Sequence, residues 1–153
     1  MFFSLLLVLC AAIQDAKTWM VSDLWPAVLA IVFVVFVLLY SAIIGDVQWM
    51  QLLLRLISST CVFLLLLALT VFLERKFHME MFGGGDIKII AASSLFLGIE
   101  PLLIALIVAF SLFLGFHGII AAKNKEQAEH AAYPFVPFYA IGYAAVSLAL
   151  MLL

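Results

Sequence analysis

Apolar residues in this chain fall into long, nearly unbroken runs instead of the stripe of an amphipathic helix. Six runs stand between short polar interruptions, at about Phe2–Gln14, Leu24–Ile44, Met50–Leu73, Ile87–Ile99, Leu102–Ala122 and Phe135–Leu153. Such a run is read as a membrane helix, because lipid offers no partner for backbone N–H and C=O groups and a helix satisfies them internally. The links are short, and only Lys123–His130 is plainly hydrophilic. Neither a Gly/Ser linker nor an internal repeat divides the sequence. The pattern predicts an all-α polytopic transmembrane bundle of about six helices, a single integral-membrane domain over residues 1–153.

Composition points the same way. The 153 residues are 69% hydrophobic and 10% charged, with mean hydropathy +1.34, far from the balance of a soluble domain. A net charge of −2 without any basic tract gives nucleic acid nothing to bind. Cys10 and Cys61 each lie alone in an apolar run. With no CxxC or Cys/His cluster they read as packed thiols, neither a disulfide nor a metal pair. No metal or cofactor is implied. Residues 1–14 lack the basic start and small-residue cleavage pattern of a secretion signal, and read as a retained first helix.

The basic residues set the expected orientation. Lys17, Arg75, Lys76, Lys88, Lys123 and Lys125 all fall on one side of a six-span chain. Only Arg55 is in the other half, inside the third run, where it is expected to snorkel outward. Asp46 and Glu100 are the acids of that opposite side. The positive-inside rule then puts both termini outside and the basic side in the cytoplasm.

Two carboxylates give this parity a chemical meaning. Asp15 ends the first run and Asp86 begins the fourth, so both reach the basic side at similar depth. An ionisable group beside a membrane span is costly and marks a functional site by default. A pair of them is the raw material of aspartyl proteolysis: one, ionised, activates water, while the other, protonated, polarises the amide carbonyl. The start of a helix favours the anion at Asp86, which makes it the expected base and Asp15 the proton carrier. The preceding Gly83-Gly84-Gly85 describes backbone free to take positive φ and to let a substrate approach. The first and fourth runs are also the shortest. At 13 residues each they reach only about 20 Å, against a hydrocarbon core of about 30 Å. A water-accessible notch between the first and fourth helices is therefore expected.

Other polar residues have plainer readings. Lys88 reaches substrate or a lipid phosphate. Asp23, Glu74 and Glu80 read as solvated loop acids that also lie where a basic peptide would be attracted. His78 and His130 read as loop residues. Pro134 and Pro137 mark a helix start, and His117 is placed to hydrogen-bond across helices. Carboxylates at a helix break also serve a small ion- or proton-coupled transporter or channel subunit. Against that alternative, the charges cluster at one face instead of along a path.

The segment Phe82-Gly83-Gly84-Gly85-Asp86-Ile87-Lys88-Ile89-Ile90-Ala91-Ala92 resembles the GxGDxK motif of type IV prepilin peptidases, the GxGD aspartyl proteases of prokaryotic inner membranes. Ala12-Ile13-Gln14-Asp15-Ala16-Lys17-Thr18 resembles their first aspartate motif, and Pro134-Phe135-Val136-Pro137-Phe138 the opening of their last helix. The three come in the family's order and span nearly the whole chain. The resemblance implies a catalytic dyad of Asp15 and Asp86, with Gly83, Gly85 and Lys88 as the other motif residues. It implies a multi-pass inner-membrane enzyme of type IV pilus or related systems. Such an enzyme cleaves the basic leader of prepilin or pseudopilin substrates, usually after glycine, at the cytoplasmic face, amid membrane lipids. The stretch Val21-Ser22-Asp23 departs from the usual Pro-Asn or Pro-Asp continuation. No loop is large enough for the CxxC-bearing domain of longer members, so the chain resembles the short, peptidase-only form.

Overall fold

The computed structural model describes residues 2–44, 49–77, 83–123 and 133–152. Among them are six helices and no strand: α1 (Phe2–Thr18), α2 (Leu24–Ile44), α3 (Trp49–Phe77), α4 (Gly84–Leu97), α5 (Ile99–Lys123) and α6 (Val136–Leu152). The fold is thus the all-α bundle that the apolar runs predict. Helices α2, α3 and α5 are long and apolar enough to cross a membrane, and α6 is a shorter apolar helix. Large apolar side chains such as Phe36, Leu65 and Ile107 point out of the bundle, as helices bathed in lipid require.

Helix α4 is central. It packs against α3, α2, α5 and α1, while α6 lies along α5 and α1. Its Ile87, Ile89 and Ile90 join Val8 of α1, Leu102 of α5 and Tyr139 of α6 in one buried core. Helices in lipid gain little from hiding apolar surface from one another, so close packing at small residues holds them. Gly142 does this for α5 and α6. A Cβ there would run into the Ala105 carbonyl and come within 3.3 Å of the Ala109 nitrogen.

The two expectations for isolated polar residues are corrected here. Arg55 does not snorkel. Its Nη1 donates to the carbonyls of Leu95 (2.7 Å) and Phe96 (3.0 Å), because α4 stops inside the bundle and leaves its last carbonyls without helical partners. A cation also suits the negative end of a helix. Gly98, at φ 81, closes that end. Cys10 and Cys61 are free thiols on the exposed surface and are not packed inside. A lipid-facing wall accepts a small apolar thiol as readily as a core does.

Candidate active site

Asp15 lies in the last turn of α1 and is only 4% exposed. Its Oδ2 accepts the backbone N–H of Val136 at 3.2 Å. Val136 is the first residue of α6, so this carboxylate occupies a position at the positive end of that helix. Asp86 lies in the first turn of α4, half-buried, and its Oδ2 accepts the N–H of Gly83 at 3.2 Å. Each carboxylate therefore sits at a helix N-terminus. Both lie just outside the apolar runs. Burial pushes the Asp86 carboxyl up to about 6, the charge of Asp15 adds to the rise, and the Gly83 N–H opposes it. Burial also raises Asp15, against the pull of the Val136 N–H. Two side chains far apart in sequence thus feel each other's charge.

A short connection holds α4 beside α1. Trp19 ends α1 at φ 58, with its N–H bonded to the Asp15 carbonyl at 2.8 Å. A bulky residue rarely adopts this left-handed conformation. It turns the chain so that Val21 lies on the first turn of α4. A Cβ on Gly85 would stand 2.7 Å from the Val21 Cβ and 3.0 Å from its carbonyl oxygen. Lys88 Nζ then pairs with Asp23 Oδ1 at 2.6 Å. Both are well exposed, so the pair contributes little stability, but it ties the connection to α4.

One expectation changes here. The glycines do not take positive φ: Gly83 is extended at φ −64, ψ 148, and Gly84 and Gly85 are already helical. Among the described residues only Trp19 and Gly98 have positive φ. Gly85 is required for close approach, whereas a Cβ on Gly84 would meet nothing within 4 Å. Lys88 meets Asp23. His117 packs its ring on Tyr133 and Phe113, at 6.0 and 6.5 Å between centroids. Glu74 is exposed. Asp46, His78, Glu80, Lys125 and His130 lie outside the described residues. Among the described residues, no group of three or more His, Cys, Asp or Glu is placed to hold a metal ion.

The pair is recessed relative to two of its neighbours. Arg55 meets Leu95 and Phe96, and Ser59 donates to the Ala91 carbonyl at 2.6 Å. Helices α3 and α4 are therefore antiparallel, and the same register puts Asp86 abreast of residues 64–65. Beyond that level α3 runs on to Phe77, about 20 Å at 1.5 Å per residue. Exposed Leu65, Val71 and Phe72 show that this stretch is still built for lipid. Helix α5 behaves alike. Its Phe113 meets Phe135 and Phe138 at the start of α6, and it continues to Lys123, about 15 Å further. Helices α1, α2, α4 and α6 all end near the carboxylates. The result is a low floor between two tall helices. A separate open cleft of about 410 Å³, lined by Cys10, Ile13, Gln14, Lys17 and Trp25 among others, lies on the face of α1 turned away from Asp15.

The profile of the type IV leader peptidase family matches residues 1–120. The chain belongs to that family. This match spans both aspartates and all three glycines before Asp86. No curated protein and no solved structure matched the chain. Membership makes the chain a peptidase with prepilin-type substrates and removes the ground for the transporter alternative. Sequence reasoning missed the Val136 N–H beside Asp15, although Pro134 and Pro137 already marked a helix start there. It also missed Val21, whose role is visible only once the connection is folded onto Gly85.

Proposed function

We infer that this leader peptidase is an aspartic endopeptidase of the GxGD type, with Asp15 and Asp86 as its catalytic pair. The observation that carries the reading is the interaction of two carboxylates that α1 and α4 bring together on the floor of a recess. One of the two carboxyls, both raised by burial, holds the proton. The other, ionised and accepting a backbone N–H, takes a proton from water. A helix start does not choose between them, since both carboxylates have a helix N-terminus. The attacked carbonyl receives its hydrogen bond from the protonated carboxyl, and the amine leaves with the proton gathered from water. The pair titrates as a unit, so its pH dependence belongs to both.

Orientation supports a cytoplasmic site. Lys17, Arg75, Lys76, Lys88 and Lys123 share the end of the bundle that holds the aspartates, which the positive-inside rule assigns to the cytoplasm of a bacterial or archaeal inner membrane. A basic leader would remain in water while the apolar helix that follows docks in lipid. Glycine before the bond suits the recess, because the helix must open locally for water and two carboxylates to reach an amide. The test is digestion of a prepilin-like peptide by the purified protein in detergent, with the products located by mass spectrometry. A single cut after the glycine at the leader junction is expected. Cuts spread through the apolar helix would refute the leader-peptidase assignment.

A further inference from the structure

Two fully buried hydroxyl contacts and one backbone contact lie along a single face of α6. Val136, Tyr139 and Tyr143 follow at intervals of three and four residues, the spacing of one helix face. At the first, the N–H reaches Asp15. At the second, the Tyr139 hydroxyl meets Ser93 of α4. At the third, the Tyr143 hydroxyl donates to Ser4 Oγ of α1 at 2.8 Å. Ser4, Ser93, Tyr139 and Tyr143 all have no exposure. Ser93 gives its own proton to the Ile90 carbonyl at 2.8 Å, so Tyr139 is the donor to Ser93.

The partners are not scattered. Ser93 follows Asp86 by seven residues and Ser4 precedes Asp15 by eleven. Both are close to whole numbers of turns at 3.6 residues each, so each serine shares a face with its helix's aspartate. Direct contact between α1 and α4 is slight beside that of α1 with α6 or of α4 with α3 and α2. Groups that reach both helices therefore help to set their mutual position. We propose that Tyr139 and Tyr143 are positioning residues that bolt α4 and α1 to α6 and so fix the separation of Asp86 and Asp15. The inference rests on the aspartyl pair proposed above. Two phenols at membrane depth are expensive unless satisfied, and both of these reach the helices that carry the carboxylates.

The test uses the full-length protein in detergent with Tyr139→Phe, Tyr143→Phe and the double variant, which keep the rings and remove the hydroxyls. Loosened spacing weakens the mutual effect of the carboxylates. A lower kcat, by at least about threefold in the double variant given the strength of hydrogen bonds between membrane helices, should accompany a KM within about twofold. The alkaline limb of the pH profile should move to lower pH. The nearby Lys88 and Asp23 are paired with each other and Lys17 is exposed, so this limb reports the two carboxylates. Ser93→Ala should add nothing to Tyr139→Phe.

A second readout needs no activity. In a background with Cys10→Ala and Cys61→Ala, cysteines replacing Asp15 and Asp86 are linked by a short bis-thiosulfonate reagent. Linking should be slower when both tyrosines are phenylalanine. Unchanged linking with wild-type kinetics would overturn the proposal, as would a drop in thermal stability alone with the pH profile intact. Slower linking in a protein that never cleaves peptide would instead sustain the positioning role and sink the proteolytic reading.

Discussion

A methyl group added to Gly85 separates close approach from flexibility as the purpose of the glycine run. The new Cβ would stand 2.7 Å from Val21 Cβ, 3.0 Å from Val21 O and 3.4 Å from Val21 Cα. All three belong to backbone or to the first atom of a side chain, so no flexible tip can swing aside. Relief requires the connection from Trp19 to Asp23 to lift off α4 by roughly 1 Å, and overpacking of this kind costs about 1–3 kcal/mol. If that energy falls on the active arrangement, Gly85→Ala loses about five- to 150-fold in kcat/KM. Gly84 is the internal control. A Cβ there meets nothing within 4 Å, and alanine in a helix is better than glycine by up to about 1 kcal/mol. Gly84→Ala should therefore stay within about threefold of wild type. Cleavage of a prepilin-like peptide, measured beside thermal unfolding in detergent, reads both. Val21→Gly removes the nearest obstructing atom and should restore part of the Gly85→Ala activity. Equal damage from Gly84→Ala and Gly85→Ala would refute the reasoning, since it would mean that backbone freedom, not space, is what the site needs.

Other consequences are open to measurement. The Asp86 carboxyl, raised to about 6 in the folded protein from an ordinary value near 4, makes the native state bind protons more readily than the unfolded chain. Stability should fall as pH rises from about 4 to about 6 and level off above. Asp86→Asn should therefore be more thermostable than wild type at pH 7–8, with the gain shrinking at pH 4–5, and a pH-independent difference would contradict this. Arg55→Ala strips the charged donor from two α4 carbonyls, a loss of about 1.5–3 kcal/mol for bonds to a charged group. A lowered unfolding temperature is expected, and an unchanged one would remove Arg55 as the cap of α4. Cysteines placed at Lys17 and Gly84, both exposed beside the recess, should react with a water-soluble thiol reagent from the cytoplasmic side. Complete protection of both would argue against a wet notch.

The six helices were legible because lipid imposes one rule on all of them, a long apolar run with its backbone bonds inside. Boundaries were less so. Composition ends the first run at Gln14, but α1 carries on through Asp15 to Thr18, since the helical hydrogen bonds continue where the apolar surface stops. The aspartates themselves stood out as costly charges at span edges. Their surroundings did not, because hydrogen bonds at Val136 and Gly83 come from backbone, which has no letter in the sequence. Arg55 was misread for a related reason. Its neighbours in sequence suggest a lipid interface, yet its partners are some forty residues away at the end of α4. Gly85 shows another case, a residue singled out for positive φ whose position instead requires close approach to Val21. Glycine permits both positive φ and close approach, and only the position of Val21 distinguishes them.

The central claim is that Asp15 and Asp86 together cut the leader. Asn at either position keeps the shape and removes the ionisable group. Purified Asp15→Asn and Asp86→Asn proteins, shown to be inserted and folded, should each fail to cleave a prepilin-like peptide that wild type cuts under the same conditions. Activity within about tenfold of wild type in either one, a difference of only about 1.4 kcal/mol in barrier, is too small for the loss of a catalytic acid or base and would contradict the account.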